Sequence, residues 1–344
     1  VCSSDLAVAP IAATAGHIAG GTSYGLFQGM DFYSAYKASF NGLGRSVLIA
    51  TALSVASTTG VSLANGINPV NGRQFEPKED YKEDYRVINN MRSLSLDMIE
   101  NANSGHPGVC LDAATILYTL YAKHMNIDLD NDNWYNRDRF ILSSGHAAPL
   151  FYSMLYMLGK ISLDDVKNFR KFGGALKGHP ELSIPFVDAA TGPLGQGIGM
   201  SVGMAIAERY LNKIINKTLI NHYTYVLCGD GDLEEGISYE ACSLAGTLKL
   251  NKLIVLYDSN NISLDGKTDL SFNENVAMRF ISQGWNVITV TEGNSYELIS
   301  KAIEEAKACN DKPTLIEVKT VLGDGSINAN SNKVHGSPLS DDDI

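Results

Sequence analysis

The sequence predicts an α/β domain built on a parallel sheet of about five or more strands, with helices on both faces. Two observations carry that expectation. Five short apolar runs rich in β-branched and aromatic residues read as buried strands, at 139–143, 223–228, 252–258, 285–290 and 314–320. Helical patterns lie between them, at 147–159, 195–217, 234–248, 273–282 and 295–308. Strands that are apolar on both faces and alternate with helices belong to a sheet covered on both sides. Ligands of such sheets sit beyond the carboxyl ends of the strands.

Taken in chain order, the first segment has a different texture. Residues 1–72 are rich in Ala, Gly, Ser and Thr, and carry no charge from Leu6 to Met30 or from Ser46 to Gly72. The stretch 46–64 has the length of a membrane span, but its Ser and Thr content and Gly60 argue against membrane association. The opening "VCSSDL" looks like a translated adapter remnant, and residues 1–72 read as artefactual or as a hydrophobic anchor. A charged linker, 73–86, follows. From 87 to 344 the chain reads as one domain. It opens with an amphipathic helix marked by Val87, Met91, Leu94 and Met98, and that helix stops at Ser104-Gly105. "SLDD" at 162–165 reads as a capping box before another short helix.

Composition sets limits on function. The 344 residues carry a net charge of −11, which argues against nucleic-acid binding. Five cysteines without a C-x-x-C pair fit a reduced cytoplasmic protein and suggest no thiolate zinc site. Neither a G-x-x-x-x-G-K-[ST] loop nor a G-x-G-x-x-G turn is present, so a P-loop or Rossmann nucleotide binder is disfavoured.

Two strand ends carry the chemistry. "CGDGDLEEG" (228–236) closes one strand and "YDSNNI" (257–262) the next. Taken singly, Gly-Asp-Gly and Asn-Asn are turns. The 28 residues between them, 232–259, hold one helix and one strand, which returns the chain to the same edge. Adjacent strands lie about 4.8 Å apart. The Asp230 carboxylate and the Asn260 carbonyl can therefore converge on one hard cation, with the Ile262 carbonyl as a third oxygen. Gly229 and Gly231 are expected to turn the backbone sharply, and Glu234 and Glu235 to open a helix.

Four of the seven histidines sit in short Gly- or Pro-bearing contexts: "SGHPG" (His106), "SSGHAAP" (His146), "KGHPE" (His179) and "KVHGSP" (His335). His17, His124 and His222 read as structural or surface residues. In "TGPLGQG" (191–197), Gly192 and Gly195 are expected to permit close backbone approach. Gly195, Gly199, Gly203 and Ala207 then form a small-residue stripe, suited to packing inside the domain or to a dimer contact.

These motifs, in this order, resemble the N-terminal domain of the transketolases over about residues 80–344. One departure is Asn261, where transketolases commonly have Gly. The resemblance implies thiamine diphosphate anchored by Mg²⁺ or Ca²⁺. Asp230, Asn260 and Ile262 would hold the metal. His146, Gly192, Leu194, Gly231, Asp230 and Asn260 would bind the cofactor. His106, His179 and His335 would line the substrate channel and assist proton transfer, as imidazoles can near neutral pH. Glu235 would meet the activating glutamate of a pyrimidine-binding domain supplied in cis or as a separate chain. The implied reaction moves a two-carbon ketol unit between sugar phosphates in a homodimer. This stretch by itself is expected to hold the cofactor and to use it poorly. Related enzymes of the dihydroxyacetone synthase or deoxyxylulose-phosphate synthase type stay open, as does a secreted or membrane-anchored chimera.

Overall fold

The computed structural model describes residues 81–216, 219–340 and 343, and two short strands, Ile67–Asn68 and Arg73–Gln74, paired antiparallel. The 46–64 stretch, most of 1–72 and His17 lie outside the described residues.

Helix α1 spans Lys82–Ala102, so it opens inside the segment read as a charged linker. The reason is burial. Asp84 is fully enclosed and accepts the Tyr118 hydroxyl at 2.9 Å, which fixes the first turn to the domain. Val87, Met91, Leu94 and Met98 are all buried, as their spacing predicts. Asn103 ends the helix in the left-handed region (φ 46°), directly before Ser104-Gly105. Two short helices follow, α2 (Pro107–Asp112) and α3 (Ala114–Thr119).

The sheet strands are β1 (Arg139–Leu142), β2 (Thr224–Gly229), β3 (Leu253–Ser259), β4 (Asn286–Val290) and β5 (Thr314–Lys319). They pair in parallel in the order β1-β2-β3-β5-β4. Between them run α4 (Ala148–Met157), α5 (Leu163–Lys167), α6 (Gln196–Ile214), α7 (Asp230–Glu234), α8 (Gly236–Leu248), α9 (Val276–Ser282) and α10 (Tyr296–Ala308). The capping box at α5 forms: Ser162 Oγ accepts the Asp165 N–H at 3.1 Å, and Asp165 accepts the Ser162 N–H at 2.8 Å.

Alternation along the strands splits the core in two. Phe140, Leu142, Tyr225, Leu227, Ile254 and Leu256 face one layer, covered by α1, α3, α4 and α10. Ile141, Val226, Cys228, Val255 and Tyr257 face the other, covered by α6, α8 and α9. Each such residue, fully buried, stabilises the fold by roughly 1.5–3 kcal/mol. His124, within 3.0 Å of Ser300 Oγ, and His222 are buried structural groups.

The small-residue stripe divides as well. Side chains built at Gly195 and Gly199 would meet Ile237 of α8, whereas Gly203 faces open space. Among the described residues, no helix is long and apolar enough to cross a membrane.

The domain closes on itself through α1. The Tyr85 hydroxyl donates to the Asn294 carbonyl at 2.7 Å and accepts the Tyr296 N–H at 3.0 Å. Arg92 donates to Asn294 Oδ1 at 2.7 Å and lies 4.0 Å from Asp324.

Candidate functional site at the carboxyl edge

Register places the ends of three strands level. Gly229 pairs with Asp258, and Ser259 with Lys319. Asp230 therefore leaves β2 beside the turn that leaves β3. Its carboxylate is buried and accepts the Tyr257 hydroxyl at 2.5 Å and the Asn261 N–H at 3.0 Å. Asn261 takes φ +60°, the region where glycine is favoured and Asn is the usual alternative. That explains how the chain tolerates Asn at this position.

The Gly-Asp-Gly stretch uses no left-handed glycine. Gly229 has φ −114°, and neither it nor Gly231 takes a positive φ. The chain passes from β2 into α7 with no loop residue between them. Asp230 and Asp232 occupy the first helical turn, Glu234 closes α7, and Glu235 caps α8. Gly231 matters for space, since a Cβ there would lie 3.1 Å from Leu194.

Asn260 sits at the centre of an acidic group. Its Nδ2 donates to Asp112 Oδ2 at 3.2 Å and to Asp258 Oδ2 at 3.3 Å. Its Oδ1 accepts the Ile262 N–H at 3.0 Å. The two carboxylates thus hold the amide with its oxygen turned toward Ile262. Burial raises Asp112 well above the ordinary carboxylate range, helped by the neighbouring Asp258. Burial likewise pushes Asp258 up to about 7. Asp230 is also raised by burial, against the opposing hydrogen bonds from Tyr257 and Asn261. Among the described residues, none of the three forms an ion pair with Lys or Arg. Buried carboxylates with no ion-pair partner, beside amide and carbonyl oxygens, fit a hard cation.

The imidazoles gather next to this group. His106 caps α2, whose last residue is Asp112. The His106 and His146 rings lie 4.9 Å apart, His146 and His335 5.7 Å, and His106 and His335 6.0 Å. The Nδ1 atoms of His106 and His335 are buried without a hydrogen-bond partner. Burial, then the neighbouring His335 and Arg170, lowers His106 to about 4. Burial also lowers His146 and His335. Three neighbouring rings held neutral by burial, two of them with an orphaned nitrogen, fit an anionic group that accepts hydrogen bonds.

His179 joins the edge from another loop. A Cβ at Gly192 would lie 3.7 Å from its ring, an ordinary contact, so space does not demand glycine there. Gly195 does require it. Its φ is +73°, and a Cβ would come within 2.8 Å of Glu235 Cβ. Leu194 stands 37% exposed at the edge. Sequence reasoning passed over Asp112, Asp258, Tyr257 and Asp232, which organise these groups from the second row. Asp232 is fully buried and takes four hydrogen bonds, from Ser143, Ser144, Gly195 and Gly229.

Fold and edge chemistry together define a cofactor-binding α/β domain with its site at the carboxyl ends of the strands. Residues 83–344 match the family described as transketolase, thiamine diphosphate binding domain, and the chain belongs to that family. It is 56% identical over 259 residues to a transketolase of Geobacillus stearothermophilus, covering 74% of this chain and 39% of the relative. The Bacillus subtilis transketolase is 55% identical over 260 residues, with the same coverage. The crystal structure of a Campylobacter jejuni transketolase superposes with a TM-score of 0.73 at 49% identity, over 75% of this chain and 40% of that one. The chain thus spans about two fifths of the length of these relatives.

Proposed function

We propose that this domain holds thiamine diphosphate through a divalent cation, Mg²⁺ or Ca²⁺, as the diphosphate-binding part of a transketolase-type transferase. The observation that carries this reading is the meeting, at one sheet edge, of neutral imidazoles with buried carboxylates that form no ion pair among the described residues, in a chain of this family. Asp230, the Asn260 amide oxygen and the Ile262 carbonyl are the metal donors. His146, Gly192, Leu194 and Gly231 form the rest of the cradle. When bound, the cofactor supplies a nucleophilic carbon and an electron sink.

The chain's own residues bind and move protons around it. His106, His179 and His335 hydrogen-bond sugar hydroxyls, and their neutral rings accept or return a proton at nitrogen. Glu235, exposed at the start of α8, is placed to pair with a glutamate of a pyrimidine-binding domain. The full reaction is two-carbon ketol transfer from a ketose phosphate to an aldose phosphate, in a cytoplasmic homodimer of the pentose phosphate pathway. The stretch carried by this chain is expected to bind cofactor and to need that further domain, in cis or as a partner, for turnover.

Calorimetry with thiamine diphosphate and Mg²⁺ tests the site. Binding should require the metal and vanish in Asp230→Ala and Asn260→Ala, while unchanged affinity in both overturns the assignment. Ketol transfer by the isolated chain, above a cofactor-only control, would refute the need for a second domain.

A further inference from the structure

We propose that Asp232 is a positioning residue that ties three separate cofactor-facing turns into one rigid unit. The inference rests on the thiamine-diphosphate reading above and adds a residue that touches neither cofactor nor metal in it. Asp232 Oδ1 accepts the Ser143 hydroxyl at 2.7 Å and the Gly195 N–H at 2.8 Å. Its Oδ2 accepts the Ser144 hydroxyl at 2.6 Å and the Gly229 N–H at 3.1 Å.

The donors come from different parts of the chain. Ser143 and Ser144 begin the turn that carries His146. Gly195 ends the loop that carries Leu194 and starts α6. Gly229 is the last residue of β2, directly before Asp230. Sequence separations of 89, 37 and 3 residues meet on one side chain.

Asp232 has no exposed surface, and among the described residues it forms no ion pair with Lys or Arg. Its compensation for burial is these hydrogen bonds, two to each oxygen, at good length. Weakening one segment therefore strands part of a buried carboxylate.

Close packing makes the tie stiff. A Cβ at Gly197 would lie 2.5 Å from Ser143 Cα, and one at Gly145 would lie 2.9 Å from Thr191 Oγ1. The Asp232 carbonyl accepts the Ser238 hydroxyl, which extends the tie to α8. The three turns are thus ordered before any ligand arrives, and a ligand spanning them meets a preorganised surface.

Asp232→Asn keeps the shape and tests the tie. An amide nitrogen accepts no hydrogen bond, so one of the two backbone N–H groups loses its acceptor, while the serine hydroxyls can rotate. Three measurements are made on the full chain: amide exchange, calorimetry with thiamine diphosphate and Mg²⁺, and circular dichroism. Asp232→Asn should keep its helix content, bind the cofactor about tenfold more weakly or worse, and exchange faster at 143–147 and at 193–196 together. Ser144→Ala should produce a smaller loss, and the double variant should fall short of the sum. This pair carries the test where Asp232→Ala fails to fold.

Wild-type affinity in Asp232→Asn overturns the proposal, and so does weaker binding without faster exchange in both segments. Absence of binding by the unaltered chain would instead overturn the cofactor reading. Joint acceleration of the two segments would then still support the tie, and its absence would overturn it.

Discussion

Two buried groups of ionisable side chains meet at the carboxyl edge, and their chemistry is opposite. Around Asn260 stand Asp112, Asp258 and Asp230, all raised by burial. Around His146 stand His106 and His335, all lowered by burial. A single six-residue helix, α2, joins the two, with His106 at its cap and Asp112 at its end. Burial pushes both groups toward their neutral forms, and the groups differ in what would relieve them. A cation relieves the carboxyls, and an anion relieves the imidazoles. A metal–diphosphate pair does both at once, which neither group does for the other.

The strongest way to break this comparison is to remove one side. Asn260→Ala should abolish cofactor binding whether or not Mg²⁺ is present. His146→Ala should weaken binding by about tenfold, the order of one hydrogen bond to a charged group, yet keep the metal requirement. Titrations with and without Mg²⁺ separate the two, and identical behaviour of the variants would merge the groups into one.

A pH series sharpens the contrast at smaller amplitude. His106 sits at about 4 against an ordinary 6.5, so the unfolded chain binds the extra proton and stability falls as pH drops from 6.5 toward 4. Asp258 sits at about 7 against 3.8, so the folded chain holds the extra proton and stability falls as pH rises from 3.8 through 7. The two oppose each other below pH 6.5, and only the carboxyl effect remains just above it. Thermal midpoints of the cofactor-free chain should therefore decline from pH 6.5 to 7.5, and Mg²⁺ should remove the decline. His106→Gln should extend the decline down into the acid range, and Asp258→Asn should abolish the decline and leave stability rising from pH 4 to 6.5. A midpoint at pH 7.5 indifferent to Mg²⁺ would count against the carboxyl side.

The mildest perturbation is steric. A Cβ at Gly108 would stand 2.7 Å from the Val334 carbonyl, beside His335. Gly108→Ala should displace the His335 turn, reduce cofactor affinity several-fold and leave the metal requirement intact, as read by the same titrations.

These two groups were unequally legible in the sequence. The sheet was readable to within one or two residues per strand, because short two-sided apolar runs such as 252–258 leave few alternatives. Asp230, Asn260 and the four histidines stood out because Gly, Pro or Asn flank them at element ends. The carboxyls behind them did not. Asp112 lies at the joint of two short helices with no Gly, Pro or Asn beside it, and meets Asn260 across 148 residues. Asp232 meets Ser144 across 88. No local pattern marks a side chain whose partners are brought to it only by the finished sheet.

The tether of α1 to the far end of the domain has a consequence for assembly. Tyr85 finds its Asn294 partner 209 residues later. On the ribosome, α1 is made first yet lacks these contacts until nearly the whole domain has emerged. Until then its apolar stripe has α2, α3, α4 and α5 for cover but no tether to the far end of the domain, and closure over so long a loop slows the final step. Nascent chains arrested before residue 294 should accordingly remain protease-sensitive at α1, and chains released beyond Asp324 should become resistant.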